Sequence, residues 1–86
     1  MKVYYGDYFK KNVKRLDVKQ QAKLTELVVL LKENPFNPLL HVKKLSGKLT
    51  GIYSLRINRD IRALFKFLSP DEIMLSNVGH RKDIYN

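Results

Sequence analysis

An imidazole, two cations and a phenol stand within six positions at the end of the stretch Val78-Gly79-His80-Arg81-Lys82-Asp83-Ile84-Tyr85. These group types suit a phosphodiester. Arg81 and Lys82 offer positive charge to a phosphate, and Tyr85 can stack on a base or move a proton. His80 is of the residue type that ordinarily titrates near neutral pH. A second set of cations lies further back. Tyr53-Ser54-Leu55-Arg56-Ile57 and Arg62-Ala63-Leu64-Phe65-Lys66-Phe67 alternate as two strands around the turn-forming Asn58-Arg59-Asp60. With a three-residue loop over 58–60, Ile57 pairs with Ile61 and Arg56 lies directly opposite Arg62, both on one face. Like charges so placed cost about 0.2–1 kcal/mol, a cost that an anion between them removes. Nucleic acid is the first partner these residues suggest.

The elements that must hold them divide the chain into a helical half and a sheet half. Lys2 to Tyr5 reads as a short first strand, and Asp7 caps a helix through Leu16, with Phe9, Val13 and Leu16 on one side. Asp17 followed by Gln20 has capping-box spacing and opens a second helix to about Glu33, burying Leu24, Leu27, Val28 and Leu31. Asn34-Pro35 ends it, because a proline disfavours helical geometry in the residue before it. Asn37-Pro38 extends the break into a loop that holds His41, Lys43 and Lys44. After the strand pair, Ser69-Pro70-Asp71 is a turn and Ile73 to Val78 a further strand. Short turns between neighbouring strands imply an antiparallel meander. The expected fold is α+β in two layers, a single domain over residues 1–86. Its order is β-α-α-β-β-β, two amino-terminal helices packed on a small, mainly antiparallel sheet. The helices should cover the face of Leu55, Ala63 and Phe65 and leave the other face to a ligand.

The 86 residues carry seventeen Lys and Arg against eight Asp and Glu, a formal charge of +9. Such an excess repels itself, and a polyanion or an acidic protein relieves it. Residues 1–50 hold eleven cations and four acids, residues 51–86 six and four. Lys10, Lys11, Lys14, Arg15, Lys19 and Lys23 form a ridge along the helical pair, where same-sign neighbours invite a counter-charge. Lys10, Lys11, Lys14, Lys43 and Lys44 are therefore the candidates for contacts to an RNA backbone. Without cysteine there is neither a disulfide nor a thiolate site, and His41 and His80 show no ligand spacing; no metal or cofactor is expected. No apolar stretch approaches the roughly 18 residues of a membrane span, and the start lacks the apolar region of a signal peptide. The expected compartment is the cytoplasm.

Four stretches carry a resemblance: Lys43-Lys44-Leu45-Ser46-Gly47, Gly51-Ile52-Tyr53-Ser54-Leu55-Arg56-Ile57, Asp60-Ile61-Arg62-Ala63-Leu64-Phe65, and the closing Val78 to Tyr85. Together they resemble the RelE/ParE superfamily of toxins, over essentially the whole chain. The resemblance implies the toxin of a type II toxin–antitoxin system, neutralised by a cognate antitoxin. In the RelE branch it implies an endoribonuclease that cuts messenger RNA in the ribosomal A site without metal. There a ribose 2′-hydroxyl attacks the adjacent phosphorus, giving a 2′,3′-cyclic phosphate and a 5′-hydroxyl. On that pattern Arg56, Arg62 and Arg81 stabilise the phosphate, Tyr85 or His80 handles the 2′-proton, and Arg81 assists the leaving oxygen. A strand lysine of RelE itself is Ser54 here, and the glutamate base of YoeB-like relatives has no clear counterpart, Glu33 being the nearest acid before the sheet. The ParE branch implies a different activity on the same fold, the blocking of DNA gyrase without hydrolysis. Convergence of Arg56, Arg62, Arg81 and a tail aromatic favours the nuclease.

Overall fold

Strand β1 (Lys2–Tyr5) leads into helices α1 (Asp7–Val13) and α2 (Val18–Glu33) in the computed structural model, which describes residues 1–85. The two-residue strand β2 (Lys43–Lys44) follows, then β3 (Tyr53–Arg56), β4 (Ile61–Ser69), β5 (Glu72–His80) and a closing turn of helix, α3 (Arg81–Ile84). The five strands form one sheet in the order β1-β5-β4-β3-β2. β1 runs parallel to β5, and the other neighbouring pairs are antiparallel. This is the expected two-layer α+β arrangement with two additions, β2 and α3.

Local chemistry explains α2 completely. Asp17 is extended and accepts from the Gln20 N–H at 2.7 Å, while the Gln20 side chain accepts from the Asp17 N–H at 3.1 Å. The helix stops at Glu33, where Asn34 turns extended before Pro35. By contrast, α1 departs from expectation at both ends. Its cap is Gly6, and Asp7 is the first helical residue. The Gly6 N–H donates to the Leu75 carbonyl at 2.8 Å, carrying the β1–β5 pairing one residue further, and a Cβ on Gly6 would lie 3.2 Å from that same oxygen. At the other end α1 stops at Val13 and not at Leu16. Gln21 Nε2, from α2, donates to the carbonyls of both Val13 and Leu16 and closes the corner. Leu16 is buried all the same.

Phe9, Leu24, Leu27, Val28 and Leu31 of the helices meet Leu55, Ala63, Phe65, Ile73, Leu75 and Val78 of the sheet. Directly registered partners share a face, so Leu55 with Ala63 and Phe67 with Ile73 define the covered side. Each fully buried large side chain contributes about 1.5–3 kcal/mol, which is what anchors the helical layer to the strands. Phe36, Tyr53, Phe65 and Phe67 extend this side as an aromatic cluster with ring centroids 5.4 to 6.1 Å apart. The opposite side carries Lys43, Ser54, Arg56, Arg62, Leu64 and Lys66; Ser54 and Leu64 at its centre are buried, whereas Lys43 and Arg56 are exposed and Arg62 and Lys66 half-buried. In β5, Leu64 pairs with Asn77 but Phe65 with Leu75, so Ser76 is the extra residue of a bulge. Beyond it the Asn77 side chain accepts from Asn12 Nδ2 at 2.7 Å and ties β5 to α1. No helix among the described residues is long and apolar enough to cross a membrane.

Candidate active site

The β3–β4 hairpin builds the site, and Asn58 builds the hairpin. Its side-chain oxygen accepts from the N–H groups of Asp60 and Ile61, both at 2.9 Å, while the Ile57 N–H donates to the Ile61 carbonyl at 3.0 Å. That register sets Arg56 directly opposite Arg62, the pairing inferred from a three-residue loop. Gly79 of β5 is the next residue in the row, opposite Arg62, and nothing lies within 4 Å of where its Cβ would be. The row therefore reads guanidinium, guanidinium, gap. Arg56 is exposed. Arg62 is half-buried, and its Nη1 donates to the carbonyl oxygens of Asn58 and Ile61, the latter at 3.3 Å. Anchoring through one nitrogen leaves the rest of the planar fork to bind an anion.

The tail starts on the same hairpin. The Arg81 N–H donates to the Asp60 carbonyl at 2.7 Å, and Arg81 Nε lies 4.0 Å from Asp60 Oδ1. With both side chains about half exposed, at 46% and 54%, this ion pair contributes direction more than stability. Ile84 is buried and Tyr85 half-buried at the end of α3. His80 takes another direction. Its register partner is Ile61, one step from the Arg62–Gly79 pair, and strand alternation turns its ring toward the helical side. There it lines a hollow of about 370 Å³ with Asn12, Arg15, Gln20, Ile61 and Asp83. Its Nδ1 accepts from the Lys82 N–H at 3.1 Å.

The five candidate lysines separate in the same way. Lys43, paired with Ser54, projects on the arginine face, whereas Lys44, paired with Tyr53, has the parity of the covered face. Both form β2 rather than the loop expected of them. Lys10, Lys11 and Lys14 are exposed on the helical layer, across the sheet from Arg56 and Arg62. Two residues had escaped the sequence reading. Lys66 projects on the arginine face two pairs along β4, and its only signal was strand alternation. Arg59, in the turn itself, lines a second hollow with Arg56, His41, Lys23 and Glu26, and a turn residue has no periodicity to betray it. His41, expected only as a loop group, holds φ 48°, the one left-handed non-glycine among the described residues. No group of three or more His, Asp or Glu side chains that could hold a metal stands among the described residues.

Fold and face together define a class: a small α+β protein whose helices cover one side of the sheet and whose strand cations Lys43, Arg56, Arg62 and Lys66 project from the other. No protein-family model matches the chain, and no curated protein sequence does. Solved structures do. The crystal structure of YafQ from E. coli strain BL21(DE3) superposes with a TM-score of 0.82 at 20% identity, over 98% of this chain and 97% of that one. The YoeB/ParE toxin from Agrobacterium tumefaciens gives 0.81 at 20% identity, over 94% and 99%. The heterotetrameric YoeB–YefM toxin–antitoxin complex from Staphylococcus aureus gives 0.78 at 22% identity, over 94% and 97%. At such identities the likeness is one of fold, and the chain has the fold of the YafQ and YoeB toxins.

Proposed function

We propose that this protein is the toxin of a type II toxin–antitoxin pair and a metal-independent endoribonuclease that cuts messenger RNA on the ribosome, in the cytoplasm. One observation carries the reading: Arg56 and Arg62 face each other on the side of the sheet away from α1 and α2, with the Gly79 gap beside them. Arg81 is held to the same hairpin through Asp60. A pair of opposed guanidinium groups with no carboxylate between them is a cost to the fold, and around a phosphate it becomes the source of binding. The shared fold and the antitoxin complex of the S. aureus YoeB support the toxin part of the reading.

In this mechanism Arg56 and Arg62 hold the two non-bridging oxygens of the scissile phosphate and take up the charge that grows on them in the transition state. Tyr85, in its phenolate form, accepts the 2′-proton as the O2′–phosphorus bond forms. The bond from phosphorus to the 5′-oxygen breaks, Arg81 stabilises the charge on that oxygen, and a solvent water supplies its proton. The products are a 2′,3′-cyclic phosphate and a 5′-hydroxyl. Lys43 extends the cationic face along the message, with Lys44 at its margin. Lys10, Lys11 and Lys14, on the helical side, meet ribosomal RNA or an acidic antitoxin segment.

Primer extension on cellular messages after induction tests the proposal. Cuts confined to translated frames, lost in Arg56→Ala with Arg62→Ala, are the expected result. Intact messages accompanied by double-strand DNA breaks would overturn it in favour of a gyrase inhibitor.

A further inference from the structure

We propose that His80 is a positioning residue: its imidazole, acting as a neutral acceptor, caps α3 and so fixes the tail that carries Arg81 and Tyr85. The functional half of this inference rests on the nuclease reading, and the structural half does not.

A helix of four residues, Arg81–Ile84, has almost no internal hydrogen bonding, and nucleating one turn is unfavourable by itself. Something outside must hold it. Its first two N–H groups are both accounted for: Arg81 donates to the Asp60 carbonyl at 2.7 Å, and Lys82 donates to His80 Nδ1 at 3.1 Å. His80 has the extended backbone of a capping residue, with φ −69° and ψ 138°, and Lys82 is the second helical position, where a cap's side chain is meant to reach. The first contact ties the tail to the arginine hairpin. The second decides which way it leaves.

Capping requires an Nδ1 free to accept from the Lys82 N–H, and so the Nε2–H tautomer. Position separates this role from acid–base catalysis. The ring has the parity of Ile61, on the other side of the sheet from the Arg56–Arg62 pair. A proton carrier for the 2′-hydroxyl would need to stand among those arginines. His80 stands behind them, between the sheet and α1, and acts through Arg81 and Tyr85.

The test uses the full-length protein with His80→Ala and His80→Asn, asparagine being a side chain that caps helices through its oxygen. Three readouts are needed: the imidazole tautomer by nitrogen-15 NMR, hydrogen exchange at the Lys82 amide, and single-turnover cleavage on programmed ribosomes. The wild type should show the Nε2–H tautomer. His80→Ala should exchange Lys82 about fivefold faster and cleave about tenfold more slowly, and His80→Asn should recover both to within about threefold of wild type. An Nδ1–H tautomer, or a His80→Asn enzyme as slow as His80→Ala, overturns the inference. A wild type that cleaves nothing overturns the nuclease reading instead, and tautomer and exchange then decide the capping role by themselves.

Discussion

At the scale of single residues, Gly79 separates what the fold needs from what the site needs. It lies in a strand beside Arg62, where a larger side chain meets no neighbour within 4 Å of the Cβ position. Glycine weakens a strand interior, so a β-branched residue here should help the sheet. Gly79→Val is expected to keep or raise the thermal midpoint while filling the space next to the paired guanidinium groups. Cleavage on programmed ribosomes should fall at least tenfold with no loss of folded protein, as read by circular dichroism. Full activity in Gly79→Val would mean that the gap takes no part in seating the RNA. The same residue also shows why histidine and arginine in one short tail need not work together. His80 and Arg81 are adjacent in sequence, yet one faces the helices and the other the hairpin turn.

Among the elements, those with local signals were legible and those closed by distant partners were not. Asp17 and Gln20 announce the start of α2 because each satisfies the other's backbone N–H three residues away. Asp17→Ala should therefore cost about 1 kcal/mol in urea unfolding, with an unchanged denaturant slope. The opposition of Arg56 and Arg62 was readable for a similar reason: a short loop with Asn58 as its first residue fixes the hairpin register. Nothing local marks the end of α1, since the group that stops it, Gln21, belongs to the next helix. Nor does β2 announce itself. Its two lysines become a strand only because Tyr53 and Ser54 stand opposite. The face of His80 was hidden for the same reason, depending on the pairing of β5 with Ile61 and on a bulge at Ser76 that shifts the alternation. The hairpin that carries Arg56 and Arg62 can thus be read from residues alone, and the tail's geometry cannot.

For the whole molecule, the formal charge of +9 is spread over both sides of the sheet. Arg56, Arg62, Lys43 and Lys66 project from the sheet, whereas Lys10, Lys11 and Lys14 sit on the helical layer. Binding of a short single-stranded RNA should therefore weaken with salt according to the sheet-side cations alone. Replacing Arg56 and Arg62 with glutamine should flatten the plot of log affinity against log salt by about 0.7, from the one phosphate that the pair holds. Replacing Lys10, Lys11 and Lys14 with glutamine should leave that slope unchanged and weaken association with intact ribosomes. Fluorescence anisotropy across a salt series checks the first, and co-sedimentation with ribosomes the second. Equal effects of both sets on the short RNA would contradict the division of labour between the two sides.

The sheet also keeps its longest strands inside. β4 and β5 have nine residues each, whereas the margins are the four residues of β1 and the two of β2, and both margins carry lysine. An unpaired strand edge is a template on which a second chain can zip, and a short, charged edge denies it both length and a welcoming surface. The consequence is colloidal. Molecules of this kind can crowd together without nucleating cross-β association, and a mutation that lengthened β2 or neutralised Lys43 and Lys44 would remove that protection.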